Sequence, residues 1–302
     1  MKKTTALVLA CLAAIFLCAA PAFAADKHKV FLITMDQMDQ HWANMDFGAR
    51  KAAEEAGNID YAWMAPDIKD DAKQIEIVNN AVAAGAEVIL IAANGPNAVT
   101  AALKEANGAG VKIIYVDSPA EFPGLATFAT NNKAAGKTAG EVLVKALKDK
   151  GVTKGRIGVV SVNAATQSTV DRENGFREAF KGSAFELLPS QYGEGDVARS
   201  KDIAANFITQ DVVGIFGANE GSTVGVGNAI AEDGNQVLGV GFDNSDSIRG
   251  LIRSGALLGA MVQNPDVMGA KGVEAAAAVL GGGYKGEKMV DTGVTVMTKD
   301  KL

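Results

Sequence analysis

A chain of 302 residues, 48% hydrophobic and 21% charged, has globular composition and the length for one large or two medium domains. Its 29 basic and 35 acidic residues give a formal net charge of −6, which argues against nucleic acid as a partner. Both cysteines, Cys11 and Cys18, lie in the N-terminal leader, so the rest can form neither a disulfide nor a Cys-ligated metal site.

The leader comes first along the chain. Lys2 and Lys3 precede a wholly apolar run, Ala6 to Ala20, and Ala22-Phe23-Ala24 places small residues where a signal peptidase reads. This predicts a secretory signal, residues 1–24, cleaved after Ala24. The run is short of the roughly 20 residues that an uncleaved span needs, and too few apolar residues precede Cys11 for a lipoprotein site. Removing Lys2 and Lys3 leaves 27 basic against 35 acidic residues, a net charge of −8. The expected compartment is the periplasm.

Beyond the leader, short runs rich in Val, Ile and Phe alternate with Ala-rich helical patterns. The predicted strands are VFLIT (30–34), YAWM (61–64), VILIAA (88–93), KIIYVD (112–117), ATFATN (126–131), RIGVVSV (156–162), FELLPS (185–190), VVGIFGAN (212–219), VLGVGFD (237–243), LLGAMVQ (257–263) and VTVMT (294–298). Several are continuously apolar, as parallel strands covered on both faces must be. Gly57, Gly85, Gly110, Gly151, Gly182, Gly234, Gly255 and Gly281 sit where helical patterns stop. From Ala135, the residues Ala139, Val142, Leu143, Ala146 and Leu147 continue one apolar stripe, with Lys137, Glu141, Lys145 and Lys148 outside it. Such repeated β–α alternation predicts a doubly wound α/β fold. Eleven strands are many for one sheet, so two lobes joined by short crossovers are expected.

In open parallel sheets, ligands bind outside the carboxyl ends of the strands. The residues leaving the apolar runs are Asp36, Asn94, Asp117, Asn163, Asn219, Asp243 and Gln263. Any one alone reads first as a helix cap or turn residue. As a set they ask for more: Gln263 is a poor cap, and a second acid, Glu220, follows Asn219. Carboxylates accept hydroxyl hydrogen bonds, carboxamides donate and accept, and arginine offers a fixed fork of donors. This suits a neutral polyhydroxy ligand. At about 1.5–3 kcal/mol for each charged hydrogen bond, a handful with one aromatic face offsets lobe closure and reaches micromolar affinity, about −8 kcal/mol. The stretch TMDQMDQHWANMDFGAR (34–50) concentrates Asp36, Asp39, His41 and Trp42 where a strand hands over to a helix. It reads as a metal or catalytic cluster, as a stabilised helix start, or as half of a clamp for a polar ligand.

Four segments, VGFDNSDSIRGLIRSGALLGAMVQNPDVMGAKGVEAA (240–276), IFGANE (215–220), DRENGFREAF (171–180) and VDSP (116–119), together carry a resemblance. From about Lys29 to its C-terminus the chain resembles the ribose-type periplasmic sugar-binding proteins of ABC transporters, the type I periplasmic binding proteins. The resemblance implies two Rossmann-like lobes with parallel sheets joined by a three-strand hinge, with ligand between them. The crossovers fall near Asn131, Asn264 and Thr292, giving lobes 25–130 with 264–291 and 131–263 with 292–302. Carried over by position, sugar contacts fall on Asp117, Arg172, Asn219, Asp243 and Gln263. Trp42 matches a stacking aromatic and His41 stands where a second would be. Asp39 replaces a usual Asn, Met35 a small polar residue, Ser118 an arginine of ribose binders, and Gly195 a second-lobe aromatic. Asp36 and Asp39 add acceptors, and the acid–Trp spacing looks somewhat like the xylose-binding branch. These departures point away from ribose, towards another pentose or hexose or a polyol. The implied partners are a small neutral sugar or polyol, an inner-membrane ABC permease and, as for some members, a chemoreceptor.

The expected protein is a non-enzymatic monomer without cofactor or metal. Two other classes remain as alternatives: a periplasmic sensor for a small autoinducer, and a hydrolase using Asp39. A metal site at Asp36, Asp39 and His41 lacks a second ligating histidine, because His28 is the only other one. GVGNAI (225–230) lies within a helical pattern and lacks the third glycine of a dinucleotide loop.

Overall fold

The computed structural model describes residues 27–302; the leader and its predicted cleavage site lie outside the described residues. Two sheets form. The first runs β2 (Ile59–Met64), β1 (His28–Ile33), β3 (Val88–Ile91), β4 (Lys112–Val116), β5 (Thr127–Ala129), β12 (Met289–Asp291), all parallel. The second runs β7 (Ala184–Leu187), β6 (Lys154–Ser161), β9 (Val212–Gly217), β10 (Leu238–Phe242), β11 (Gly259–Gln263), β13 (Val294–Thr298), with β8 (Gln191–Tyr192) beside β6. Only β13 departs from the parallel pattern, pairing antiparallel with β11. Two lobes of α/β type, expected from the sequence, are what the chain forms.

The continuous apolar runs have their predicted cause. In β3, Val88 and Leu90 join the core under α1 (Gln40–Ala56) and α9 (Pro265–Leu280), whereas Ile89 and Ile91 join the core under α2 (Asp71–Ala83) and α3 (Thr100–Gly108). Successive side chains point to opposite faces, so a strand buried on both needs no polar residue. The second sheet repeats the plan. One face packs on α4 (Asn132–Asp149) and α5 (Gln167–Ala179); the other packs on α6 (Val197–Ile208), α7 (Glu220–Glu232) and α8 (Asp246–Ser254).

All eleven predicted strands correspond to observed ones. FELLPS stops at Leu187 instead of Ser190, as expected where Pro189 removes a ladder donor. The short β8 and β12 had no prediction. Of the eight glycines, seven have left-handed φ; Gly281 does not (φ −80), and the left-handed turn follows at Gly282 (φ 121).

The chain leaves the first sheet after β5, returns to it after β11, and leaves again between β12 and β13. The three passages are tied to one another. Asn264 Nδ2 donates to the Thr292 carbonyl (2.8 Å), while Asp291 Oδ1 accepts from the amides of Asn131 (3.1 Å) and Gly293 (2.9 Å).

Candidate functional site

β4 and β10, one in each sheet, end in the same way. Asp117 and Asp243 follow them directly, with φ of 59° and 77°. Each amide donates at 2.9 Å to the neighbouring strand, to Phe128 and Met261 respectively. Left-handed backbone is tolerated best by Gly, then Asn and Asp, and costs about 1–3 kcal/mol at such sites. Both carboxylates are thereby turned into the space between the lobes, where both are buried.

The first lobe supplies the start of α1. Asp36 is saturated: Oδ1 accepts from the amides of Met38 (2.6 Å) and Asp39 (3.0 Å), and Oδ2 accepts from Trp42 Nε1 (3.0 Å) and pairs with Lys69. Asp39 pairs with Lys69 at 2.9 Å and accepts from Asn219 Nδ2 of the other lobe at 3.5 Å. His41 lies between the two strand-exit aspartates, Nε2 at 3.0 Å from Asp117 and Nδ1 at 3.6 Å from Asp243. Trp42 meets the His41 ring edge-on, centroids 4.7 Å apart, and is otherwise part of the core beneath α1.

The second lobe supplies Arg172, Asn219 and Gln263. Arg172 is held by Asn132 Oδ1 (2.7 Å from Nε), by the Ala218 carbonyl (3.0 Å from Nη1) and by the Phe242 ring 4.3 Å below its guanidinium. Its third nitrogen is 4.0 Å from Asp117. Gly136 lets α4 approach the backbone of α5 at Arg172; a Cβ there would collide with the Arg172 carbonyl. Asn219 spends Oδ1 on capping α7 at Ser222 (3.1 Å). Gln263 donates to Asp243 (2.6 Å), while its buried Oε1 has no partner within the protein.

Eight of the nine predicted residues, Asp39, His41, Trp42, Asp117, Arg172, Asn219, Asp243 and Gln263, line one small cavity of about 20 Å³. Asp36 does not; it sits behind the wall and fixes Trp42 and Lys69. A space of that size takes one water, so any sugar-sized ligand requires the lobes to part. His41, Asp243 and Gln263 also wall a larger groove of about 320 Å³ beside it. Of the other strand-exit residues, Asn94 turns to Asp71 (2.5 Å) and Asn163 caps the turn before α5.

The electrostatics are those of interleaved charges. Burial opposes ionisation of Asp36, yet Lys69 and two backbone amides hold it below the usual carboxylate range. Asp39 is pushed up by burial, with Asp36 and Asp243 adding to Lys69's failure to compensate. Burial also disfavours a charged Asp117, but His41 and Arg172 hold it low. The His41 imidazole is raised despite burial, through Asp117 and Asp243. Lys69 is raised by the two aspartates against its desolvation.

Sequence reasoning missed Lys69, whose side chain is 6% exposed. It lies in DIKDD, a charged loop that reads as solvated. Gly195, on the opposite lobe, is its counterpart: φ is 72° and a Cβ there would lie 2.9 Å from Lys69 Nζ. The lysine therefore fills room that an aromatic side chain at position 195 would take. Thr166, Ser168 and Thr169, around the start of α5, were also missed and line the cavity. Buried Ser118 accepts from the Ser168 amide (3.3 Å).

Comparison with known proteins places this architecture. The profile of the periplasmic binding protein domain family matches residues 30–284. The ribose import binding protein RbsB of Haemophilus influenzae is 29% identical over 293 residues, 96% of each chain. Among solved structures, an ABC transporter solute-binding protein from Agrobacterium vitis bound with alpha-D-tagatopyranose superposes with a TM-score of 0.86 (26% identity, 91% of this chain and 95% of that one). A carbohydrate transporter solute-binding protein from Agrobacterium radiobacter in complex with D-arabinose gives 0.86 as well (29% identity, 92% and 96%).

Proposed function

The chain belongs to the periplasmic binding protein domain family, and from that premise we propose that it is the sugar-binding component of an ABC importer, closing its lobes on a monosaccharide or related polyol. The observation that carries the reading is the convergence of Asp117, Arg172, Asn219, Asp243 and Gln263 on one small space, with Gln263 Oε1 left over for a donor. Hydroxyls of the ligand take the acceptors of Asp117 and Asp243 and the donors of Arg172 and Asn219. Trp42 presents an apolar face to ring C–H groups. Asp39 and His41 complete the first-lobe side, and Asp36 orients Trp42 and Lys69.

The hinge lies at Asn131, Asn264 and Thr292, between lobes 25–130 with 264–291 and 131–263 with 292–302. Ligand contacts from both lobes drive closure, because only the closed state makes them all. The protein works in the periplasm, as a carrier rather than an enzyme, and delivers its ligand to an inner-membrane permease; a chemoreceptor is a second partner for the same closed form. Ser118 in place of an arginine, together with the Lys69–Gly195 pair, favours a larger or differently oriented pyranose, or a polyol, over ribose.

The test is a thermal-shift screen of pentoses, hexoses, deoxy sugars and polyols on residues 25–302. Ligand that binds only the native state raises the melting temperature by mass action. A response to one neutral sugar or polyol is expected. Silence across all of them, with a response to amino acids or nucleosides, removes the sugar reading.

A further inference from the structure

The first turn of every helix leaves N–H groups without intrahelical partners. In α1 the residue before the helix, Asp39, makes no side-chain cap, because its carboxylate faces Lys69 and Asn219. The acceptor comes from the other lobe. Glu220, the first residue of α7, accepts from the Gln40 amide through Oε1 and from the His41 amide through Oε2, both at 3.0 Å. A carboxylate at a helix N-terminus also meets the positive end of the helix dipole. Glu220 is 8% exposed and is not among the residues lining the cavity. A second tie lies beside it, where the Asp246 amide of α8 donates to Gln40 Oε1 at 3.3 Å.

We propose that Glu220 is a positioning residue, an interlobe latch that grips the first turn of α1 and so sets His41 and Trp42 in the cleft without touching the ligand. The latch is available whenever the lobes meet, so it biases the protein towards closure before any ligand contact is counted.

The charges that bear on Glu220 are Asp39 of the first lobe and Asp243 after β10, and His41, whose amide it holds, lies next to it on α1. Burial first, then Asp39 and Asp243, push its carboxyl up to about 7, while the two amides pull the other way. With the lobes apart it returns to water and its ordinary value near 4.5. The closed form therefore holds the proton more tightly. The contribution of Glu220 to closure is whole below that ordinary value and is lost as pH rises through about 7.

The experiment measures interlobe distance by electron–electron double resonance. Spin labels are placed by Lys104→Cys and Lys148→Cys, one exposed site on each lobe, in residues 25–302, which have no native cysteine. In ligand-free protein at pH 6, Glu220→Ala shifts the distribution to longer distances, and Glu220→Gln, which keeps one of the two acceptors, shifts it less. Between pH 6 and 8 the wild type opens, and Glu220→Gln reduces that opening by at least half; His41 and Asp39 account for the remainder. For the strongest sugar or polyol of the screen, Glu220→Ala weakens affinity roughly tenfold at pH 6. A Glu220→Ala distribution and affinity matching the wild type overturn the proposal. So does a Glu220→Gln protein that opens as far as Glu220→Ala at pH 6, or whose pH response equals the wild type's, and the pH response decides if Glu220→Ala does not fold. Only the affinity arm rests on the sugar reading, so its failure leaves the ligand-free distances to judge the latch.

Discussion

Replacing Lys69 by Met removes one ammonium from between two buried carboxylates while keeping the length and apolar stem of the side chain. Breaking a buried ion pair by deleting one partner costs about 3–5 kcal/mol, because the remaining charge is uncompensated. Here Asp36 keeps three donors, the amides of Met38 and Asp39 and the indole of Trp42. Asp39 keeps only Asn219 at 3.5 Å. The cost therefore falls at the lower end, about 3 kcal/mol, and methionine adds little packing penalty. At 2–4 °C per kcal/mol for chains of this size, the melting temperature at pH 7.5 should drop by roughly 6–12 °C. Asp39 is already raised by burial, and without the lysine it rises further. Its folded value then exceeds its unfolded one by more, so the deficit is present at neutral pH and shrinks as pH falls and the carboxyl protonates. The double variant Lys69→Met/Asp39→Asn should recover most of the loss, a coupling of about 2 kcal/mol. Scanning calorimetry on ligand-free protein checks both. A drop below about 2 °C, or a double variant no better than the single one, refutes the account of a lysine neutralising two acids.

Three further outcomes follow from the same geometry. Asp117→Asn keeps a residue that accepts left-handed backbone, whereas Asp117→Ala adds about 1–2 kcal/mol of backbone cost; in thermal melts the Ala variant should lie several degrees below the Asn variant, and coincident curves would falsify the strain argument. Gly195→Ala places a methyl against Lys69 at a positive φ, which costs about 1 kcal/mol in the closed state; titration calorimetry should show sugar affinity about fivefold weaker, and unchanged affinity would contradict the close approach. His41 holds its proton more tightly in the folded chain, so its pairing stabilises fully below the imidazole's ordinary value of about 6.5 and is lost as pH rises above it. The melting temperature should therefore fall more steeply between pH 6 and 8 in the wild type than in His41→Asn, and parallel slopes would remove His41 from the balance.

The strands were legible because parallel strands buried on both faces leave an unbroken apolar record, as VILI does in β3. β12, of sequence MVD, carries no such record; it is a short edge strand with two exposed residues, and only its neighbour β5 makes it a strand. The site was legible to the extent that chemistry sits at strand exits. Asp117 and Asp243 could be found that way, but the left-handed backbone that aims them could not. Asp36 stands apart from the cavity for a related reason: its sequence position is that of a strand-exit residue, while three local donors turn its oxygens inward. Lys69 and Glu220 were missed as structural partners because each acquires its role from the opposite lobe or from a distant loop. No local pattern encodes an ion pair thirty residues away, or a helix whose cap comes from 180 residues downstream.

β12 and β13 have a consequence for the order in which the molecule can be completed. Each lies at the edge of a different sheet, yet both come from residues 289–298. A chain still emerging from a ribosome or a translocation channel can assemble the interior of both lobes, but it can finish neither until its tail arrives. The same ten residues then seal both halves and draw the last of the three passages tight, so a lesion at this one short segment is felt as two unprotected sheet borders instead of one.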